Sequence, residues 1–149
     1  MTSETSIDVR EVVFINPDAE SNYEGLPVSV GETADGAMTL LQNGRVPTRP
    51  GLWRTLKGKL RHLGEIRIND GSNTYRVYVW LGCDPALYIL DAGMKKSPTG
   101  SEIPQWQQDR LVDRRERAIR DCADSQADLE KAFSDRALRR KRSKQEVRR

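Results

Sequence analysis

The sequence has few of the residues that proteins use to bind metals. Its 149 residues include one histidine, His62, and two cysteines, Cys83 and Cys122, which stand in no CxxC or CxxxH arrangement. A zinc site takes about four such ligands at close spacing. We therefore expect no metal and no other cofactor, and we interpret both cysteines as buried or incidental thiols.

Long apolar stretches are also missing. No window approaches the roughly 18 consecutive apolar residues of a membrane helix, and the N-terminal residues 1–10 are acidic and polar rather than a signal sequence. Hydrophobic residues make up 36% of the chain and charged residues 32%. This balance predicts one small cytoplasmic domain with a modest core and no membrane contact.

Charge of one sign is instead concentrated along the chain. Residues 1–50 carry three Arg against eight acids, a net −5, whereas residues 51–120 carry thirteen Lys or Arg against eight acids, a net +5. Residues 121–149 add a further +3, from nine basic and six acidic residues. This asymmetry favours a polyanionic partner. A basic protein that is merely soluble is the alternative.

Hydrophobic periodicity predicts an α+β fold: an N-terminal strand and two helices, a three-stranded antiparallel meander, and a C-terminal helix. The predicted strands cover residues 9–15, 64–68, 74–81 and 86–92. The predicted helices cover residues 17–25, 26–44 and 103–120. We assign residues 1–120 to the domain and residues 121–149 to a helical, basic C-terminal extension that frays at its end.

Alternation along the meander predicts a basic face. Arg67 and Arg76 each lie between core-facing residues, so both point to the opposite face of the sheet. Within residues 54–76, two acids offset six cations, which favours an anionic ligand. The further cations expected near this face are Lys57, Lys59, Arg61, Lys95 and Lys96. An ordinary half-solvated sheet with outward-facing arginines is the alternative.

Four short motifs occur in order: GLW at 51–53, ExR at 65–67, YR at 75–76, and KKS followed by a proline-bearing helix start at 95–104. Over roughly residues 9–120 the sequence resembles the RelE/HigB/ParE superfamily of toxins from type II toxin–antitoxin modules. The resemblance is greatest to the HigB-like, phage-derived branch. It implies a microbial RNase-like fold, a cognate antitoxin as partner, and metal-free cleavage of mRNA in the ribosomal A site.

Metal-free RNA cleavage needs bases, acids and phosphate-binding cations. The catalytic candidates are Arg76, Lys95, Arg67, Lys57 and Asp91. The resemblance gives Arg76, Lys95 and Arg67 by position and Lys57 by its segment, whereas Asp91 is a candidate base because it stands beside cations. The RNA-binding candidates are Lys59, Arg61, Lys96, Tyr78 and Trp80. Arg76 is the first choice for binding phosphate because a guanidinium donates two parallel hydrogen bonds. Tyr78 and Trp80 could stack on a base or simply pack against a helix.

Two positions depart from the HigB-like pattern. Asp91 and Gly93 stand where relatives commonly have histidine and phenylalanine. Two other functions therefore stay open: a ParE-like inhibitor that binds DNA gyrase without cleavage, and a homologue that binds RNA or antitoxin without turnover.

Overall fold

A five-stranded mixed sheet forms the centre of the fold. The computed structural model describes residues 9–95 and 103–147, and in the last helix it describes side chains only to residue 127 and at residue 131. The strands are β1 (Glu11–Phe14), β2 (Trp53–Thr55), β3 (Leu63–Asp70), β4 (Asn73–Cys83) and β5 (Ala86–Met94). The helices are α1 (Pro17–Glu24), α2 (Val28–Gln42) and α3 (Gln105–Val147), with a single 3-10 turn at Gly58–Leu60.

The sheet has the order β1-β5-β4-β3-β2. β3, β4 and β5 pair antiparallel, as the alternation in the sequence predicts. The prediction of a three-stranded meander preceded by a separate N-terminal strand is nevertheless incomplete. β2 adds an antiparallel edge next to β3, and β1 pairs parallel with β5. The segment at 53–55 was expected to be a linker, because three residues are too few to show alternation.

Two cores lie on opposite faces of the sheet. Val30, Ala34 and Leu41 of α2 pack on one face with Val77 and Val79 of β4. The other face, which we call the α3 face, carries side chains that alternate with those valines along β4. They pack with residues of α3. These are Tyr78 and Trp80 of the strand, joined by Cys83 after a register shift between Trp80 and Cys83, and Leu111, Ala118 and Cys122 of the helix.

Local sequence explains the helix starts. At α1, the Asn16 side chain accepts a hydrogen bond from the Ala19 backbone N–H at 2.8 Å, Pro17 occupies the first turn, and Asp18 adds an acid there. α3 spans 43 residues, roughly 65 Å at 1.5 Å per residue. It continues without interruption past residue 120, and the division into a domain and an extension stays a prediction.

The cysteines contradict our interpretation of them as thiols. Cys83 at the end of β4 and Cys122 on α3 form a disulfide with Cα atoms 6.0 Å apart. Both are buried, as expected, but 39 residues separate them, and no local spacing motif reports such a contact. The bond attaches α3 covalently to the sheet. No helix in the described part of the chain is long and apolar enough to span a bilayer.

Candidate nucleic-acid interface

Polar residues form a row across four strands on the α3 face. In strand register, Arg54 of β2 lies opposite Glu65 of β3, Glu65 opposite Tyr78 of β4, and Tyr78 opposite Asp91 of β5. Directly opposed residues share a face of the sheet. Because Tyr78 belongs to the core under α3, all four residues lie on the α3 face. We call these four residues the polar row.

The next row on this face brings the two predicted arginines together. Arg67 lies directly opposite Arg76, and Arg76 lies opposite Gly93. The expectation that the two arginines share a face therefore agrees with the register. Gly93 has φ 152°, and among the described residues a Cβ placed there would meet no atom within 4 Å. At the β5 side of the row, the glycine thus leaves open space beside Arg76.

A buried glutamate holds two of the arginines. Glu65 is 0% exposed and accepts a hydrogen bond from Arg54 Nε at 2.9 Å, while Arg76 Nε lies 3.6 Å from its other carboxylate oxygen. Arg76 is itself only 2% exposed, whereas the Arg54 side chain is 40% exposed. One carboxylate thus serves two guanidiniums. With Arg67 alongside, the cluster keeps an excess of positive charge.

Tyr78 lies between these charges. Burial, reinforced by the negative charge of Glu65 and partly opposed by Arg76, raises the pKa of Tyr78 to about 12. The hydroxyl is therefore neutral at physiological pH. Tyr78 is 1% exposed, and Trp80 packs against Tyr88 with ring centroids 5.6 Å apart. Of the two roles considered for Tyr78 and Trp80, this geometry favours packing.

Asp91 is buried at the junction of β5, α1 and α3. It is 3% exposed, and its Oδ1 accepts hydrogen bonds from the Asn22 amide at 3.1 Å and from the Ala92 backbone N–H at 2.9 Å. Arg114 and Arg110 lie 3.5 and 3.6 Å from its carboxylate oxygens. These contacts fix the position of α3 against the sheet. They pair the carboxylate, which is predicted to be a catalytic base, with two arginines of α3.

Arg114 adds a direct link to the sheet. Its Nη1 donates to the Leu90 carbonyl at 2.7 Å. Burial lowers the pKa of Arg114, and the charge of Asp91 opposes this change. The start of α3 is thus held by one strand carbonyl and one buried carboxylate.

The cations before β3 line two separate clefts. Lys57 and Arg54 line one of about 670 Å³, together with Gln108 of α3. Lys59 and Arg61 line the other, of about 460 Å³. There Lys59 pairs with Asp109 at 2.8 Å, and the Arg61 carbonyl accepts a hydrogen bond from an α3 arginine. The cleft with Arg54 is thus the one that adjoins the polar row.

Two predicted lysines lie near the end of β5. Lys95 is half-buried, and its backbone N–H donates to the Thr74 carbonyl at 2.7 Å, which places it beside the start of β4. Lys96 lies outside the described residues. Within residues 9–95 and 103–147, no group of three or more His, Cys, Asp or Glu side chains is arranged to hold a metal.

Sequence reasoning missed several members of this face. No strand is predicted at Arg54, and Glu65 enters the predictions only as part of the ExR motif and as one of the two acids that offset six cations. Alternation could have found Glu65, since it lies two residues before Arg67 on the same strand. No sequence signal indicates that Arg110 and Arg114 meet Asp91, because this contact depends on how α3 packs.

A family model described as Phage derived protein Gp49-like (DUF891) matches residues 22–116. The match covers well over half of the chain and includes the end of α1, all of α2, β2 to β5 and the start of α3. The chain belongs to the Gp49-like phage-derived protein family, which is a RelE/HigB-like toxin family. No curated protein matches the sequence.

Proposed function

We propose that this protein is the toxin of a type II toxin–antitoxin module and acts as a ribosome-dependent mRNA endoribonuclease that uses side chains alone. The observation that carries the proposal is that Arg54 and Arg76, from two strands, converge on Glu65, with Arg67 on the same face of the sheet in the next row. Membership of a RelE/HigB-like toxin family supports it.

RNA cleavage by this route has three requirements. The ribose 2′-hydroxyl loses a proton and attacks the adjacent phosphorus, the charge on the phosphate oxygens is stabilised, and the departing 5′-oxygen gains a proton. Guanidinium groups suit the second requirement because they donate paired hydrogen bonds to phosphate. Lysines can transfer protons when neighbouring cations disfavour their charged form.

We assign these roles to residues according to how exposed each side chain is. Arg54 and Arg67 are partly exposed and bind the scissile phosphate. Arg76 is too buried to reach it directly, so it positions Glu65 and adds positive potential. Lys57, on the cleft, and Lys95, at the end of β5, are the candidates for proton transfer. Asp91 acts as a positioning residue that fixes α3.

The cleft beside Arg54 receives the RNA strand. Its volume of about 670 Å³ lies within the roughly 300–1,000 Å³ typical of ligand sites. Lys57 and Gln108 line it with polar groups. Lys59 and Arg61, in the adjacent cleft, bind neighbouring phosphates through charge.

A cognate antitoxin would cover this face. Its contacting segment would be acidic, because a net positive surface selects a negative partner and speeds association. The ribosomal target places the protein in the cytoplasm.

The burial of Arg76 favours a second candidate, a homologue that binds RNA or antitoxin without cleaving. A phosphate-binding arginine that is 2% exposed and 3.6 Å from a carboxylate is poorly placed for catalysis. A gyrase inhibitor has no evident need for arginines gathered on one sheet face.

Induced expression in a bacterial host separates these functions. The proposal predicts growth arrest with fragmented mRNA and normal plasmid supercoiling. Growth arrest with relaxed plasmid and intact mRNA would identify a gyrase inhibitor. Normal growth, together with RNA binding by the purified protein, would identify the non-cleaving homologue.

A further inference from the structure

An exposed tryptophan lies at the start of α3. Trp106 is the second residue of the helix and is 49% exposed. Burying a tryptophan side chain is worth several kcal/mol. A flat partner that covers this indole would therefore gain binding free energy from removing it from water.

Arg110 holds this indole in place. Its guanidinium carbon lies 5.0 Å from the centroid of the Trp106 ring, a cation–π geometry, one helical turn along α3. Nη1 of Arg110 also lies 3.6 Å from the buried Asp91 carboxylate. The ring is therefore braced through Arg110 against β5, so less side-chain entropy is lost when a ligand binds.

The indole flanks the proposed RNA-binding face on the side away from Arg54. Gln108 lines the Arg54 cleft, whereas Trp106 and Arg110 lie on the side of α3 that meets Asp91. The polar row that joins Arg54 to Asp91 crosses three strand spacings, roughly 14 Å at about 4.8 Å each. A short single-stranded segment could cross the start of α3 and contact both ends of the row.

The charges around Trp106 favour a nucleotide over an acidic or apolar peptide. Arg114 interacts with Arg110 and Arg117 as well as with the carboxylates of Asp91 and Asp18, so three arginines face two carboxylates and the region beside the ring keeps a net positive charge. A flat aromatic surface next to arginines is how proteins bind unpaired bases and their phosphates.

We infer that Trp106, braced by Arg110, is a stacking platform for an unpaired base of the RNA. This inference rests on the proposed function and extends it by naming a residue that recognises a nucleobase. Stacking is tolerant of sequence because every base has a π face. Trp106 should thus raise affinity for single-stranded RNA without setting a strong base preference.

The probe is a six-nucleotide 2′-O-methyl RNA, which cannot undergo 2′-hydroxyl attack, so binding is measured apart from cleavage. Titration into the full-length protein should quench tryptophan fluorescence, since Trp53 and Trp80 are packed in the cores. Trp106→Ala should weaken binding about tenfold or more, as expected for the loss of one stacked base. Trp106→Tyr should stay within about threefold of wild type.

Two controls isolate stacking. Leu40→Ala removes an exposed apolar side chain from α2 and should leave affinity unchanged. An abasic oligonucleotide of the same length and charge should bind the wild type and Trp106→Ala equally, and more weakly than the base-bearing probe binds the wild type.

Each failure has a distinct signature. If the wild type binds the base-bearing and abasic oligonucleotides equally, and Trp106→Ala changes neither affinity, the stacking inference is wrong while RNA binding stands. If the wild type binds neither oligonucleotide, the stacking inference is wrong, and cleavage on translating ribosomes tests the proposed function separately. Weaker binding of Trp106→Ala to a protein partner, with RNA affinity unchanged, would also overturn the inference.

Discussion

Replacing Glu65 with glutamine should lower the free energy of unfolding by roughly 3 kcal/mol, the lower end of the cost of breaking a buried ion pair. The two side chains have nearly the same volume, so packing is conserved. What changes is the charge between Arg54 and Arg76. The amide N–H groups of glutamine would also face the guanidinium N–H groups of the two arginines, and all of these groups are hydrogen-bond donors.

The cost should come mainly from Arg76. At 2% exposure its guanidinium cannot regain water, so its charge would stay buried without the carboxylate. The Arg54 side chain is 40% exposed and can turn to solvent. Arg54→Gln should therefore cost less than about 1 kcal/mol, as is usual for a partly solvated ion pair.

Equilibrium urea unfolding at pH 7 measures these differences in the free energy of unfolding. The comparison requires that the slope of this free energy against urea concentration is the same for every variant. A Glu65→Leu, Arg76→Met double variant removes both buried charges. It should recover most of the stability, because apolar residues of similar volume often replace a buried pair at little cost. A loss below about 1 kcal/mol for Glu65→Gln, or a double variant less stable than the single one, would refute the reasoning.

Three further perturbations test other parts of the fold. Replacing both Cys83 and Cys122 with serine should lower the free energy of unfolding by about 4 kcal/mol, because the disulfide restricts a loop of 39 residues in the unfolded chain. The wild type under reducing conditions should lose as much. Equal urea midpoints with and without the bond would argue against this. Gly64→Ala would place a Cβ against the indole ring of Trp53 and should cost about 1–3 kcal/mol in urea unfolding. Gly36→Ala is the control: its Cβ would meet no atom of the described residues within 4 Å, so the change should be neutral or stabilising. The pKa of Tyr78 is raised from 10.0 to about 12, so its contribution to stability should be full below pH 10 and lost as the pH rises through about 12. The absorbance of tyrosinate should show this late ionisation. Ionisation of Tyr78 near pH 10 in the folded protein would contradict the prediction.

The local periodicity of apolar residues predicts much of the fold. β4 was predicted from alternation in residues 74–81 and spans Asn73–Cys83, and α2 was predicted at 26–44 and spans Val28–Gln42. In both elements the spacing of apolar side chains follows directly from one buried face. The parallel pairing of β1 with β5 could not be predicted in the same way, because alternation identifies a strand but not its neighbour.

The candidate site was predictable where it depends on a single strand pair. Arg67 and Arg76 flank a short turn, so their common face follows from the alternation on each side of it. Burial was not predictable. The exposure of Arg76 depends on how side chains from different elements pack on this face, including Glu65 of the neighbouring strand, and the position of α3 on the face depends on the contacts of Asp91 and on the disulfide.

Cleavage of a defined mRNA on purified translating ribosomes is the most direct test of the central claim. The assay compares the wild type with a double variant that carries Arg54→Ala and Arg67→Ala. A second variant, Arg45→Ala, lies at an exposed position beyond α2 and controls for the loss of positive charge. The account predicts cleavage by the wild type and by Arg45→Ala, and a decrease of about 100-fold or more in the double variant. Full cleavage by the double variant, or no cleavage by a folded wild type, would contradict it.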